Sequence, residues 1–183
     1  MLTTSIEAPV FKQKDIFGRI IDLETYRDKK LFIGFFRHAG CPFCNLRVHT
    51  LTKIHEELKA QNMEMIFFFE STERVLLRST FHQEVSPIPL ISDPERIQYN
   101  AYGLEKSGYK SAVSHLGTFV QTAYKAYQQG LPMHLMAGNE SISTMPAEFL
   151  IDKNLQIRTV HYAERLDDRL DISLIKSFAY DNK

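Results

Sequence analysis

Cys41-Pro42-Phe43-Cys44 holds the only two cysteines of the chain, three positions apart. A thiol attacks as its thiolate, so its surroundings decide whether it is reactive. Pro42 fits the first turn of a helix, because it has no N–H to leave unpaired and its φ is already helical. Cys41 then sits at or just before the helix N-terminus, where unpaired backbone N–H groups and the macrodipole favour an anion. Its pKa is expected to fall. Cys44 lies one turn further on, within reach of a mixed disulfide formed on Cys41. Arg37 and His38, just ahead of the motif, are the candidate sources of further positive potential. Strand, Cys-x-x-Cys and helix in that order is the redox arrangement of this motif. Zinc is a competing use. Structural zinc sites draw four N/S ligands, usually from two such pairs. No second pair exists here, His49 or His55 would have to serve, and the helix turns His49 onto a different face from Cys44. Inert buried cysteines are the remaining reading. Neither a metal nor a cofactor is expected.

The strand before the motif and the helix after it must position it. Residues 31–36 read LFIGFF, a strand apolar on both faces, as in a covered parallel sheet. From Pro42 to about Ala60, the positions Phe43, Leu46, Leu51, Ile54 and Leu58 recur at helical spacing, and Val48 widens the stripe. Arg47, Lys53, Glu56 and Glu57 fit the wet side. Upstream, residues 8–23 read as an extended lead-in and a hairpin turning at 15–18, and 24–30 as polar connection. Downstream, 63–69 (MEMIFFF) is a second buried strand. Ser71 or Thr72 caps a helix carrying Val75, Leu76 and Phe81. A short third strand spans 88–91. Asp93 and Pro94 then cap and open a helix that runs to Tyr102 and ends at Gly103. Residues 106–139 are less regular. Ala112, Val113, Leu116, Phe119, Val120, Ala123, Tyr124 and Tyr127 suggest an amphipathic helix. Packing on the domain is its expected role; a second subunit, an apolar ligand or a membrane surface are the others. Residues 130–144 read as a loop. Strands at 147–151 and 156–162 form a hairpin about Asp152-Lys153-Asn154. A last helix at 171–178 turns Ile172, Ile175 and Phe178 inward. This order predicts an α/β sheet with helices on both faces.

The 183 residues suit one domain, 1–183, with a sizeable core. Twenty-two basic and twenty-two acidic residues cancel, which argues against nucleic-acid binding driven by bulk charge. No apolar run reaches the length of a membrane span, and the N-terminus lacks the basic start and apolar core of a signal peptide. Two cysteines in one short motif are no disulfide framework, so a reducing compartment, the cytoplasm, is expected.

Four stretches resemble the peroxiredoxin-like branch of the AhpC/TSA family, in the thioredoxin-fold superfamily. They are Ala8-Pro9-Val10-Phe11 through Leu23, Phe35 through Leu46 around the two cysteines, Ser92-Asp93-Pro94 through Leu104, and Met145-Pro146-Ala147-Glu148-Phe149 through His161. Together they cover nearly the whole chain. The resemblance implies a thioredoxin-like α/β fold: a central mixed β-sheet flanked by helices, with an N-terminal β-hairpin and a helical insertion at about 106–139. That insertion and 161–170 are similar to the subgroup that includes prostamide/prostaglandin F synthases. The resemblance makes Pro146 a cis proline facing the dithiol, presenting the Met145 backbone to a substrate chain. Cys44 falls at the family's peroxidatic position and Cys41 at its Thr/Ser position, while the motif's proline falls at Arg37 or His38. Pro146 replaces the arginine before the late strand. Peroxide activation needs donors at both oxygens, and two of them are absent from this pattern. The buried acid of a typical thioredoxin falls at Phe35, with His38 a possible substitute.

The first functional reading is a thiol–disulfide oxidoreductase in which Cys41 attacks and Cys44 resolves, reduced by a thioredoxin or glutathione system. The second is a hydroperoxide reductase using Cys44 or Cys41. A non-enzymatic redox sensor or partner-binding module, with the 106–139 helix as interface, is a third. Reduction of an apolar endoperoxide rests on subgroup analogy alone. A homodimer is compatible with the aromatic helix.

Overall fold

The computed structural model describes residues 1–104, 116–133 and 144–181. The apolar run forms strand β3 (Lys30–Phe35), and every residue in it is buried. Alternate side chains of a strand leave opposite faces, and that alternation divides the core in two. Phe32, with Phe36 just beyond the strand, meets Phe67, Phe69, Leu51, Leu150 and Cys44 on one face. Leu31, Ile33 and Phe35 meet Phe68, Phe149, Tyr99 and Tyr102 on the other. Strands β4 (Met63–Phe69), β5 (Leu90–Ser92), β6 (Ala147–Ile151) and β7 (Ile157–Tyr162) complete a sheet of order β5-β4-β3-β6-β7. β3, β4 and β5 run parallel, while β6 is antiparallel to both β3 and β7. The mixed sheet is thus as expected. Gly34 lies opposite Glu148 in the β3–β6 register. A Cβ there would stand 3.0 Å from the rings of Phe32 and Phe36, so only glycine fits without displacing them.

The N-terminal hairpin, β1 (Lys12–Lys14) with β2 (Ile20–Asp22), is a separate two-stranded sheet. Its turn is shaped by the Asp15 carboxylate, which accepts the N–H groups of Phe17 (3.0 Å) and Arg19 (2.8 Å). Lys30, expected in polar connection, instead opens β3 and is buried. Its ammonium donates to the carbonyls of Phe178 (2.7 Å), Ala179 (3.2 Å) and Asp181. Those carbonyls end the last helix, where a cation is favoured.

Helix α1 (Pro42–Lys59) buries a continuous stripe that includes Cys44, Arg47, Val48, Leu51, His55 and Leu58. Arg47 was expected on the wet side, and its burial has an electrostatic cause given below. The helix expected after Thr72 is two short ones, α2 (Glu73–Leu76) and α3 (Thr80–Gln83). Asp93 does cap the next helix, accepting from Ile97 (2.9 Å), Gln98 (2.8 Å) and Tyr99 (3.3 Å), but α4 (Ile97–Ala101) starts a turn later than expected. Gly103 ends it at φ +72°. Helix α5 (Leu116–Gln128) carries the later part of the expected amphipathic helix; Ala112 and Val113, and the rest of 106–115 and 134–143, lie outside the described residues. Val120, Tyr124 and Tyr127 are exposed and Ala126 is buried, so those tyrosines do not pack on the described part of the domain. Helix α6 (Ile172–Tyr180) closes the chain, capped by Asp171 and burying Ile175 and Ala179.

Candidate active site

The sheet delivers the chain to the N-terminus of α1 and pins it there. Phe36 N–H bonds to the Phe68 carbonyl (2.8 Å), and the Arg37 carbonyl accepts from Glu70 N–H (3.0 Å). Ala39 N–H donates to the Ser71 hydroxyl (2.7 Å), and Cys41 N–H to the His38 carbonyl (3.0 Å). Asn45, buried, donates from one amide nitrogen to the Ala39 carbonyl (2.7 Å) and to the Pro132 carbonyl beyond α5 (2.8 Å). Cys41 is the N-cap residue (φ −75°, ψ 113°), Pro42 opens the helix, and the first turn carries no acid. The positive end of the helix dipole therefore faces Cys41 without a local anion to cancel it.

Both thiols are reduced and buried. The Cys44 thiol is hydrogen-bonded to the Cys41 sulfur. Arg37 reaches both: its Nη1 is 3.7 Å from Cys41 Sγ, and its backbone N–H donates to Cys44 Sγ (3.4 Å). Burial alone would push the Cys41 thiol up. The Cys44 thiol, the Arg37 guanidinium, the Cys44 N–H and the Arg169 charge outweigh it, and the Cys41 pKa falls to about 6. Burial pushes the Cys44 thiol well above its ordinary value. Its hydrogen bond to Cys41 and the charge there push it further, against Arg169 and Arg37. A proton shared in this way leaves one thiolate and one thiol, which is the division of labour that a dithiol reaction needs.

Below the pair lies a buried ion cluster. Glu148 on β6 accepts from Arg47 Nε (2.8 Å) and Nη2 (2.7 Å) in a bidentate pair. It also accepts Leu170 N–H (2.9 Å), and Arg47 Nη2 donates to the Leu170 carbonyl (2.8 Å). Arg169 Nε stands 3.7 Å from the other oxygen of Glu148. A carboxylate with no exposure would be strongly destabilising unpaired, which is why Arg47 turns inward.

The profile of the AhpC/TSA family matches residues 5–160. The chain belongs to the AhpC/TSA family. Membership makes the chain a thiol-based oxidoreductase or peroxiredoxin-type protein, and its two cysteines lie close together. Solved structures agree on the fold. Peroxidoxin BcpB of Mycobacterium tuberculosis superposes with a TM-score of 0.68 at 14% identity, covering 100% of both chains. A yeast mitochondrial 1-Cys peroxiredoxin gives 0.67 at 15%, over 96% of this chain and 74% of that one. A chain described as a thiol:disulfide interchange protein DsbE, of Chlorobium tepidum, gives 0.58 at 16%, over 88% and 86%. A search of curated proteins by sequence finds no match.

Within this AhpC/TSA chain, Cys41, Pro42, Cys44, Arg37 and His38 lie together between the end of β3 and the first turn of α1. Met145 is half-buried and packs against the cluster that contains both cysteines. Pro146 is buried, and its carbonyl accepts Ala163 N–H (3.0 Å). The expectation of a cis bond at Pro146 is corrected: the bond is trans, and the cis bond among the described residues is Ser86–Pro87. The stretch leading into β6 is held instead by Thr144, which donates to Glu70 while Arg96 donates to both. His49 lies near the Phe81 ring and His55 beside Glu56.

Arg47, Glu148, Asn45 and Arg169 were not singled out by the sequence reading. Two of them left a signal. Glu148 is the polar residue inside an apolar strand, and Arg47 follows Cys44 by three positions, hence on its face of the helix. Asn45 and Arg169 have no pattern of their own.

The ultraviolet absorbance of thiolate should appear with a midpoint near pH 6 in the reduced protein and be lost in Cys41→Ser. A midpoint in the ordinary thiol range would contradict the site described. Replacing Arg47 with Met takes the bidentate partner from buried Glu148, leaving it Leu170 N–H and the more distant Arg169, and should cost about 3 kcal/mol in urea unfolding. The double variant Arg47→Met/Glu148→Leu should recover most of that loss; failure to recover would show that the pair is not what Arg47 serves.

Proposed function

We propose that the chain is a thiol–disulfide oxidoreductase in which Cys41 is the nucleophile and Cys44 the resolving thiol. The observation that carries this is the asymmetry of the pair: Cys41 is the helix N-cap with its pKa at about 6, and Cys44, one turn inward, is held protonated. The Cys41 thiolate attacks one sulfur of a substrate disulfide. A Cys41–substrate mixed disulfide forms, and the other substrate sulfur leaves as a thiolate that takes a proton. Cys44 then loses its proton and attacks the Cys41 sulfur, expelling the second substrate thiolate. The substrate gains two electrons and the chain is left with a Cys41–Cys44 disulfide, which a thioredoxin or glutathione system reduces. Such a system places the protein in a reducing compartment, the cytoplasm; among the described residues no helix is long and apolar enough to cross a membrane.

Arg37 supports a second reading. A Cys41 thiolate that attacks a hydroperoxide becomes a sulfenic acid as the alcohol departs. Cys44 condenses with that acid, releasing water and giving the same disulfide. The Arg37 guanidinium, 3.7 Å from the Cys41 sulfur, would stabilise the departing alkoxide, a role that the family pattern gives to an arginine where this chain has Pro146.

Both readings are tested by assaying insulin-disulfide reduction and hydroperoxide consumption with thioredoxin, thioredoxin reductase and NADPH. Disulfide reduction should be lost in Cys41→Ser, and Cys44→Ser should accumulate a mixed disulfide through Cys41. Peroxide turnover that survives Cys41→Ser and stops in Cys44→Ser would overturn this assignment and make Cys44 peroxidatic. No activity in either assay would favour a sensor or a dedicated partner.

A further inference from the structure

Cys41 is buried, so some neighbouring part of the chain has to move before its sulfur can meet a substrate. Two parts adjoin the cysteine end of α1, and they are fastened differently. The segment before α6 contributes Leu166 and Leu170 to the cluster that holds both cysteines. Ionised groups fix it there: Leu170 N–H donates to Glu148 (2.9 Å), and Arg47 donates to the Leu170 carbonyl (2.8 Å). Such hydrogen bonds are about twice as strong as neutral ones.

The other part is α5 with the turn that follows it. α5 packs against α1, yet of residues 120–133 Ala126 and Leu131 alone are buried. Asn45 supplies a hydrogen bond across this thin contact. Its side chain is fully buried, and its amide nitrogen donates to the Pro132 carbonyl (2.8 Å) and to the Ala39 carbonyl (2.7 Å). Both acceptors are carbonyls, so the nitrogen has to face them, and Oδ1 is left without a donor. The Asn45 N–H bonds to the Cys41 carbonyl (3.0 Å). One residue thus joins the turn that carries Cys41 to the end of α5, through a neutral bond.

We propose that Asn45 is a positioning residue that latches α5 over the catalytic turn, and that release of its bond to Pro132 is the opening through which substrate reaches Cys41. The inference rests on the reading of Cys41 as the nucleophile and adds how that sulfur is reached. Its basis is the difference in fastening. On one side are charge-assisted bonds; on the other are one neutral bond and two buried side chains. A segment with few buried apolar contacts opens locally, at a lower free energy than global unfolding. Moving α5 breaks neither the Arg47–Glu148 pair nor the contacts of Arg37 with the two sulfurs, so the opened site keeps its thiolate.

The test times the alkylation of Cys41 in the reduced full chain by dilute iodoacetamide, with the label mapped by mass. Each rate is divided by the thiolate fraction from the ultraviolet titration, so a changed pKa does not enter. In the unmodified protein the rate should be insensitive to low urea, because local opening exposes little surface. Asn45→Ala should raise it about tenfold, the effect of one lost hydrogen bond, and keep the insensitivity to urea, which a merely structural loss of stability would not. Leu131→Ala loosens the same contact and should raise the rate at least about tenfold, which keeps the test open should Asn45→Ala fail to fold. Leu166→Ala, on the other side, should stay within about threefold of the unmodified rate, under half the logarithmic effect of one lost hydrogen bond. A rate that climbs with urea in step with global unfolding would overturn the latch. So would one that Leu166→Ala raises while Asn45→Ala and Leu131→Ala do not. A label that falls first on Cys44 would overturn the nucleophile reading as well.

Discussion

The Glu148 carboxylate sits in the middle of an apolar sheet with no access to water, and it has to be neutralised there. Much of the site follows from how that is done. Arg47 answers it from α1, which fixes the rotation of the helix that carries Cys44. Leu170 answers it from the segment before α6, and Arg169 beside it stands 3.7 Å from the same carboxylate. One carboxylate on β6 thereby ties the central sheet, helix α1 and the segment before α6 together. Gly34, its register partner on β3, leaves space on the same face.

The chemistry of the pair is a consequence of two opposed effects at two nearly adjacent sulfurs. Burial penalises a thiolate at both. At Cys41 the helix N-terminus, the Cys44 thiol and the arginines more than offset it; at Cys44 the negative neighbour adds to it. The outcome is one sulfur that is charged near neutral pH and a second that stays a thiol, which is what the proposed assignment of nucleophile and resolving thiol needs. Cys41 is 1% exposed, so attack on a substrate requires the cover around it to open.

How much of this was legible depended on whether a residue's role lay in local pattern or in distant contact. The strand at 31–36, the hairpin about Asp152, the capping by Asp93 and the helix opened by Pro42 follow from periodicity and turn chemistry within a few residues, and all of them formed. Cys41 and Cys44 were legible because the motif states its own geometry. Arg47 was misplaced on the wet side because nothing within a helical turn reveals a carboxylate 101 residues away. Lys30 was misread for the same reason: the carbonyls it serves are 148 residues downstream and beyond. The cis assignment at Pro146 came from resemblance, and a trans bond in this chain leaves Thr144, Glu70 and Arg96 to hold that stretch.

The asymmetry of the two thiols is the central claim, and competition for a limiting electrophile tests it most directly. The reduced protein would be treated at neutral pH with less than one equivalent of iodoacetamide, digested, and mapped by mass. The label should lie on Cys41, with Cys44 unmodified until denaturant is added. A label that falls first on Cys44 would contradict the assignment of nucleophile and resolving thiol.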